Sequence, residues 1–310
     1  MAVTVTPAAW AVIINEGLSF ANYIQNQGAV ELIQAPDGSM KSNLWHYPKY
    51  YPLTAVLPTA TQITTSTSLT PSALTDYDEI YPVVHRGAAF SIHDINRKEQ
   101  GYDPIRELLP QVSTLFMRWI QTSLAYAVQG VFASALNSTH SKDNTGFGIS
   151  AMMLYEAPQE LLGEVGINLN TVLMHSKIYK DLQADIKQDL TTLESGAVLV
   201  QRWLGDKKVL INDTICAPKT VGAVTAYPTY VFAGSPFRVG YQSQEPPASE
   251  REEKSFKTDY VVAIDYAVGI KGVQWNSTGA PADTDLDDAA KWTKVASSNG
   301  AIELVEILTL

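Results

Sequence analysis

The chain has 310 residues and a formal net charge of −10, with 32 acidic and 22 basic side chains and no basic run that could grip a phosphate backbone. Its single cysteine, Cys216, excludes an intrachain disulfide and a cysteine-rich zinc cluster. Charged residues make up 17% of the chain, below the roughly 25% that is usual for globular proteins, so we expect a largely neutral surface suited to contact with other protein.

The first predicted element is a helix over about residues 7–26. Thr6-Pro7 supplies an N-cap and a favourable first helical residue. Apolar residues then recur at helical spacing, namely Trp10, Ile13, Ile14, Leu18 and Ala21. The N-terminus has no basic signal region, and the longest nearly apolar run of the chain is too short to cross a bilayer. We therefore expect a protein that is made and kept in a cytoplasm.

Residues 35–58 show no period and predict an extended or looping segment, and a long β-hairpin is predicted over about residues 59–92. The first strand of this hairpin is rich in Thr and Ser and almost wholly polar. The second strand places apolar residues on one face at a period of two, namely Ile80, Val84, Ala88, Phe90 and Ile92. An isolated two-stranded ribbon is at best marginally stable, so this hairpin needs a partner surface.

The strongest helical signal covers residues 103–136, where apolar residues form an unbroken stripe. We predict core contacts for five residues of this stripe: Leu109, Phe116, Trp119, Leu124 and Val128. At about 1.5 Å per residue the helix would span roughly 50 Å, so it must run along other parts of the protein. Pro110 lies too far inside to act as a cap, and it should kink or restart the helix.

Residues 157–241 mix short helices and short strands, which predicts an α+β unit. A strand at 171–175 precedes a helix that Ser176 is predicted to cap. Further short strands are predicted at 198–204, 207–213 and 229–241, the last interrupted at Gly234.

The last third of the chain contains an unusually long half-buried strand. Even-numbered residues from Val262 to Ile270 are apolar and alternate with smaller or polar residues. Residues 279–291 read as a charged surface loop, and residues 301–310 as a terminal strand.

The segment HRGAAFSIHDINRKE carries the residue types of a metal site or an acid/base pair. His85, His93 and Asp94 would have to converge, but the two histidines lie about 26 Å apart if the strand between them is fully extended. Nothing in the sequence demands a bend, so we predict a structural margin whose charges pair with a neighbour.

Two further groups suggest chemistry. His175 and Ser176 could be a base and a nucleophile, but adjacent side chains at a strand-to-helix junction point apart. The acidic set Asp283, Asp285, Asp287 and Asp288 could hold calcium, although the bidentate Glu and the central Gly of a calcium-binding hand are absent. We therefore predict a solvated acidic loop, no catalytic residue, no bound metal and no cofactor.

The order of these parts resembles the major capsid proteins of tailed bacteriophages, which share the Hong Kong 97-type fold with encapsulin nanocompartments. The resemblance rests on an N-terminal arm, a Thr/Ser-rich loop, a long helix entered at YDPIRELL, a module from VLMHSKIYKDLQ to VFAGSPFRVGY, and a final long strand. It covers nearly the whole chain, and its specificity lies in the order and lengths of the parts.

The resemblance implies an α+β, Hong Kong 97-type capsid fold in five parts. They are an N-terminal arm (1–40), an extended β-hairpin loop with its flanks (41–100), a peripheral domain with a spine helix (101–169), an axial domain around the capsomer centre (170–235), and a return to the peripheral domain (236–310). The extended loop would lie across a neighbouring subunit, which supplies the surface that the hairpin lacks.

Candidate contacts between subunits follow from this arrangement. They are Thr64, Thr67, Leu69, Asp78, Glu79, Arg86, Asp94, Arg97 and Lys98. Some family members cross-link their shells through a lysine on the extended loop, but this sequence has no lysine between Lys49 and Lys98. We therefore expect a shell without such cross-links.

The implied function is that of a major capsid protein that assembles as pentamers and hexamers into an icosahedral shell around double-stranded DNA. The shell would enclose DNA without sequence-specific binding and would contact no membrane. Assembly is expected in the cytoplasm of a bacterial host, with portal and decoration proteins as further partners of the virion shell.

Some family members carry a long scaffolding segment before the arm, whereas this chain reaches its extended loop by residue 50. Either such a segment has been removed or a separate scaffolding protein exists, and we expect the separate protein. Two other functions stay open at this point. One is an encapsulin-like shell that holds enzyme cargo, and the weaker one is a cytoplasmic enzyme.

Overall fold

The computed structural model of the chain describes residues 28–35, 39–41, 43–50, 76–93, 105–188, 207–242, 248–252, 256–296 and 298–310. The predicted helix at 7–26, the first strand of the predicted hairpin and the predicted strand at 198–204 lie outside these residues. None of the helices in the described ranges is both long and apolar enough to cross a membrane.

The described chain contains both strands and helices. The strands are β1 (Val30–Gln34), β2 (Met40–Lys41), β3 (Leu44–Tyr50), β4 (Asp76–His93), β5 (Ser141–Asp143), β6 (Thr171–Met174), β7 (Lys208–Ile211), β8 (Lys219–Val221), β9 (Val224–Phe232), β10 (Phe237–Tyr241), β11 (Ala248–Glu252), β12 (Lys257–Ile270), β13 (Val273–Trp275), β14 (Trp292–Lys294) and β15 (Leu304–Thr309). The helices are α1 (Ile105–Ala133), α2 (Asn137–His140), α3 (Met153–Leu162), α4 (Ser176–Gln188) and α5 (Asp283–Leu286). The predicted mixture of helices and strands is confirmed.

The first sheet has the strand order β1-β10-β12-β4-β3-β2, with β11 paired beside β12. Strand β12 is its centre, because β10, β11 and β4 all pair with it in antiparallel register. The alternation predicted for β12 is confirmed as far as Tyr266, since Val262, Ile264 and Tyr266 are at most 2% exposed and share one hydrophobic core with α1. From Tyr266 to Ile270 both faces of the strand are buried, so this end is not half-buried as predicted. Tyr266 also forms a hydrogen bond with Ser123 of α1, with 2.9 Å between the hydroxyl oxygens.

Strand β4 is not the unsupported half of a hairpin that the sequence suggested. Residues 76–82 pair with β3, and residues 83–93 pair with β12. Its own chain therefore supplies the partner surface over this length. Strand β3 lies within residues 35–58, which were predicted to be extended or looping. Pro48 disfavours a strand, and the pairing of β3 with β4 is non-local, so the sequence gave no sign of it.

Helix α1 begins at Ile105 and ends at Ala133, close to the predicted bounds. Pro110 does not restart the helix: it lies in the second turn, where a proline removes a single backbone hydrogen bond near the helix start. Among the predicted core residues, Phe116, Leu124 and Val128 are at most 5% exposed. Trp119 is partly buried, with its ring 5.6 Å from that of Phe116. The side chain of Leu109 lies outside the described part.

The second sheet has the order β5-β15-β9-β6-β7, with β8 beside β9. The run 229–241, predicted as one interrupted strand, divides between the sheets, because Gly234 turns the chain at a φ of 62° between β9 and β10. The last strand, β15, pairs with β9. Residues 236–310 therefore contribute strands to both sheets, and no sequence pattern revealed the non-local pairing of β15.

The acidic segment 279–291, predicted as a surface loop, is anchored on α1. Leu286 is fully buried, and its carbonyl accepts a hydrogen bond from the Trp292 indole nitrogen at 2.8 Å. Gly130 of α1 permits this approach, because a side chain there would collide with the Leu286 carbonyl and the Trp292 ring. The aspartates of the segment thus surround a buried hydrophobic anchor.

We expect Leu124→Ala to lower the free energy of unfolding by about 2–5 kcal/mol, because Leu124 is 2% exposed and its truncation leaves a cavity beneath α1. Urea denaturation followed by circular dichroism measures the change. Arg118→Ala, on the exposed side of the same helix, is the control and should change stability by less than about 0.5 kcal/mol. Equal unfolding midpoints for the two variants would show that the apolar stripe is not core.

Candidate assembly surface

One face of the first sheet is left uncovered by the described elements along β4 and β12. In β4 the odd-numbered residues from His85 to His93 are exposed, and the opposing residues of β12 are exposed or half-buried. At the centre, Gly87 pairs with Ala263 and Ala89 pairs with Val261, which is 50% exposed. We call these four central residues the open face. Contiguous exposed apolar surface often marks a protein contact site, which makes the open face a candidate for assembly.

Polar pairs border the open face at both ends. At one end, His85 Nδ1 lies 2.7 Å from Asp265 Oδ1, and its Nε2 lies 3.0 Å from Asn43 Oδ1. At the other end, Lys257 Nζ lies 3.0 Å from Glu252 and 3.3 Å from Asp259. A hydrogen bond from the Ser91 hydroxyl is the main cause that holds the pKa of Asp259 below its usual value. The apolar centre is therefore framed by side chains that already have partners in their own chain.

The two histidines of β4 are held apart by the strand. His85 uses both ring nitrogens for Asp265 and Asn43, whereas His93 lies opposite Lys257 at the far end of the open face. In the described ranges no group of three His, Cys, Asp or Glu side chains is arranged to hold a metal ion. Asp94, the third predicted member, lies outside those ranges.

His175, and not Ser176, caps α4. His175 Nδ1 accepts a hydrogen bond from Lys177 N at 3.0 Å, as an N-cap side chain does. Ser176 donates from its backbone nitrogen and its hydroxyl to the Asp213 carboxylate, at 2.7 and 3.0 Å, and the backbone bond chiefly lowers the pKa of Asp213. The prediction of Ser176 as the N-cap is wrong, because this serine donates its hydrogen bonds to Asp213, which is distant in sequence. The serine and histidine thus serve the start of the helix and not each other.

The carboxylates of the acidic loop contact cations and amides of their own chain. Asp283 pairs with Arg86, and Asp285 pairs with Lys291 at 2.5 Å. Asp285 also accepts from Ala282 N at 2.9 Å, and Asp288 accepts from Ala290 N at 3.0 Å. These contacts shape the loop locally, and within the described residues the calcium alternative finds no ligand cluster.

The predicted subunit contacts differ in their surroundings. Thr64, Thr67, Leu69, Asp94, Arg97 and Lys98 lie outside the described residues. The side chain of Asp78 is 53% exposed, and its carboxylate lies 3.4 Å from His46 Nδ1. Arg86 is 27% exposed and pairs with Asp283 of the same chain, so part of its charge is already used within the subunit.

Glu79 is fully buried, so its prediction as a contact between subunits is wrong. Its Oε1 accepts hydrogen bonds from Lys49 Nζ and Gly272 N, both at 2.9 Å. Its Oε2 accepts from the Tyr81 hydroxyl and from Arg238 Nη1, both at 2.6 Å. One carboxylate thereby joins β3, β4, β10 and the turn after β12.

Arg238 extends this ion cluster to β1. Its Nε donates to Glu31 Oε2 at 3.1 Å, and Lys271 Nζ lies 3.1 Å from the same oxygen. The Arg238 guanidinium also lies over the Tyr47 ring, 4.2 Å from the ring centre. Neither Lys49 nor Arg238 was predicted to be a functional residue. The available signal was an arginine within the otherwise apolar run FRVGY.

The electrostatics of Glu79 follow from these contacts. Burial alone would raise the pKa of Glu79, but hydrogen bonds from Tyr81 and Lys49, with the charges of Lys49 and Arg238, bring it below its ordinary value of 4.5. The carboxylate is therefore ionised at neutral pH. Tyr50 and Asp76 are paired at the ends of β3 and β4, and residues 51–75 connect them. The ion cluster, by holding β3 and β4, therefore fixes the positions at which this connection begins and ends.

A family model described as Gp13-like, major capsid protein 13-like, matches residues 111–302 of the chain. The chain belongs to this family. It is a major capsid protein of a tailed phage, and hence a component of the virion. The matched region contains most of α1, all of the second sheet except β15, and the central strands β10 and β12 of the first sheet.

Relatives agree with the family assignment. The major capsid protein of Bacillus phage SPP1 is 21% identical over 244 residues, which cover 72% of this chain and 74% of that protein. In fold, the capsid protein resembles the capsid of Ralstonia phage GP4, with a TM-score of 0.58, 8% identity, and coverage of 92% of this chain and 90% of that one. A chain of Microbacterium phage Oxtober96 gives a TM-score of 0.54 at 13% identity, covering 87% and 90%. The family and its named relative do not favour the encapsulin-like alternative.

We expect Glu79→Ala to destabilise the capsid protein by about 3–5 kcal/mol, because Arg238, whose side chain is 6% exposed, loses a buried partner. Thermal or urea unfolding of the variant measures the loss. Asp78→Ala, one residue away on the exposed side, should change stability by less than about 0.5 kcal/mol. Similar losses for both variants would contradict the central place of the ion cluster.

The lowered pKa of Glu79 also predicts acid sensitivity. A carboxyl with a lower pKa in the folded state contributes stability that is complete above the unfolded value and is lost as pH falls through the folded value. The free energy of unfolding should therefore decrease below about pH 4.5, and it should decrease less steeply in Glu79→Gln. Urea unfolding at a series of pH values tests this, and parallel curves for the two proteins would be the contrary result.

Proposed function

We propose that this major capsid protein forms pentamers and hexamers of an icosahedral shell around double-stranded DNA, with the extended loop of each subunit lying on the open face of a neighbour. In this proposal α1 and the first sheet form the peripheral domain, and the second sheet forms the axial domain near the capsomer centre. The division of the described chain into two sheets, joined by the turn at Gly234, supports this arrangement.

The observation that carries the proposal is a match in chemistry between the loop and the open face. Residues 51–75 contain no charged side chain, and they include the predicted contacts Thr64, Thr67 and Leu69. The centre of the open face is equally uncharged, with Gly87, Ala89, Val261 and Ala263. A neutral segment can cover this face without removing an unpaired charge from water, which would be costly.

The ion cluster supports the same proposal from the inside of the subunit. It fixes β3 and β4 relative to β10 and the turn after β12, so residues 51–75 begin and end at a defined place in the first sheet. A loop with fixed ends loses less conformational freedom when it binds a neighbour. The arrangement therefore favours contact between copies of the chain.

A shell of this kind would have DNA and other virion proteins as further partners. A net charge of −10 suits a wall that lies beside DNA without adhering to it. In this proposal the shell is assembled in the cytoplasm of the bacterial host, with a separate scaffolding protein, a portal and decoration proteins. No step of assembly requires a catalytic residue or a cofactor of this chain.

Replacing residues 53–73 by a short Gly-Ser linker should preserve β3, β4 and a cooperative melt but abolish closed particles. Val261→Asp, which places a charge on the open face, should have the same effect, whereas Val261→Thr, similar in shape and uncharged, should still assemble. Sedimentation and electron microscopy of the expressed protein with its scaffold measure the outcome. Normal shells from Val261→Asp would show that the open face does not receive the loop, and normal shells from the linker variant would refute the loop's role.

A further inference from the structure

His140, the last residue of α2, is a fully buried histidine. The other four histidines of the chain are exposed or half-buried. The ring of His140 belongs neither to the ion cluster nor to the open face. Because histidine is the side chain that most readily changes its charge near neutral pH, a buried ring of this kind is a candidate for a response to acid.

His140 lies where the chain passes twice between the two sheets. Helix α1 packs beneath the first sheet, and α2 leads from it into β5 of the second sheet. A short 3-10 turn, Asn299–Ala301, leads from β14 into β15 of the second sheet. The ring of His140 joins the two passages, because its Nε2 lies 3.0 Å from the carbonyl oxygen of Asn299.

The partners of the ring indicate which nitrogen carries the hydrogen. A carbonyl oxygen only accepts, so Nε2 of His140 donates to Asn299. In a neutral ring Nδ1 is then the acceptor, and it lies 2.7 Å from the Thr139 hydroxyl, which donates to it. Both nitrogens of the buried ring therefore have partners in the neutral form.

The surroundings of the ring oppose a second proton. A proton on Nδ1 would bury a charge and would turn the hydrogen of the Thr139 hydroxyl away from its acceptor. Burial, followed by the charge of Lys294, brings the pKa of His140 below its ordinary value of 6.5, although hydrogen bonds with the backbone of Asn299 and Ile302 oppose this shift.

Two charged groups come from the elements around the ring. Lys294 of β14 donates from Nζ to the side-chain oxygen of Asn299, so its positive charge lies on the same turn that the ring holds. The carboxylate of Glu306 on β15 accepts hydrogen bonds from Lys219 and from Ser141. The charge that acts on the ring is therefore of the same sign as the proton it would receive.

We propose that His140 is an acid-sensitive latch between α2 and the turn that leads into β15. In the neutral form its ring holds the Asn299 carbonyl and so keeps the two passages between the sheets together. A protonated ring is better stabilised by water than by this buried site, so acid favours an open state in which the ring has left and the turn is released. The latch acts within one subunit, so it goes beyond the proposed shell and does not depend on it.

The direction of the pH effect follows from the lower pKa of His140 in the folded chain. Below about pH 6.5 the unfolded chain binds a proton that the folded chain does not. The equilibrium constant for unfolding should therefore rise as pH falls, by up to about tenfold per pH unit, until the folded ring is protonated as well. This window begins above that of Glu79, whose contribution is lost below about pH 4.5.

Urea unfolding between about pH 5 and 8 tests the latch on the full chain. In His140→Gln the amide nitrogen still donates to Asn299 and the amide oxygen still accepts from Thr139, but the side chain does not titrate. We expect the unfolding constant of this variant to rise less with acid, by up to about tenfold per pH unit. His46→Gln, whose native side chain is 53% exposed, is the matched control and should keep the profile of the unaltered protein. Parallel profiles for His140→Gln and the unaltered protein would overturn the proposal.

Hydrogen exchange separates a local latch from a general loss of stability. The Ile302 amide donates to the Asn299 carbonyl at 3.1 Å, so it should become less protected as the turn is released. From about pH 7 to 5, we expect its protection factor to fall about tenfold or more, while the amides of β9 keep theirs. Equal losses at Ile302 and throughout β9 would show that acid unfolds the subunit as a whole and that His140 is no latch.

A measurement on the unaltered protein keeps the test decisive if His140→Gln fails to fold. Deuterium exchange at the C2 position of histidine rings, followed by mass spectrometry of each peptide, gives the pKa of His140 directly. The proposal requires a value below 6.5. A value at or above 6.5 would overturn it, because the folded chain would then bind the proton as readily as the unfolded chain does.

Discussion

The buried pairing of Glu79 with Arg238 is the contact on which the arrangement of the first sheet depends. Each charge would cost several kcal/mol to bury alone, and the cost is offset here because both oxygens of the Glu79 carboxylate accept hydrogen bonds. The donors come from β3, β4, β10 and the turn after β12. A shift of any of these elements would leave a buried charge without its partner, so the cluster specifies their register.

A second buried carboxylate has a comparable place in the second sheet. Glu306 of β15 is fully buried, and it accepts hydrogen bonds from Lys219 Nζ at 2.7 Å and from the Ser141 hydroxyl at 2.9 Å. These contacts tie the last strand to β8 and β5. Both sheets therefore use an internal ion pair to position strands that are distant in sequence, while the apolar core beneath α1 supplies the bulk of the burial.

Because internal ion pairs and the apolar core stabilise the subunit, its outer surface can remain available for assembly. Some charged residues near the extended loop form ion pairs within the subunit, as Glu79 does with Arg238 and Arg86 does with Asp283. What faces outward along β4 and β12 is small and apolar at its centre. In the proposed contact with a neighbour, shape and burial would contribute more than charge, which fits a chain with 17% charged residues.

Local periodicity was sufficient for the elements whose stability comes from one continuous apolar face. The spacing from Phe116 to Val128 identified α1, and the alternation from Val262 to Ile270 identified β12, because each pattern is written in consecutive residues. The order and lengths of such elements also carried the resemblance to phage capsid proteins, which the family match confirms.

Non-local pairing decided the rest. Strand β3 forms because β4 pairs with it, and β15 joins the second sheet because β9 is its partner there. Likewise, Ser176 does not cap α4 because it donates to Asp213. Glu79 was predicted as a surface contact, but it is buried where Arg238 and Lys49 donate to its carboxylate. A sequence lists the charges but not which of them meet. That depends on the path of the backbone through space, so the buried partners of Glu79 became visible only in the folded chain.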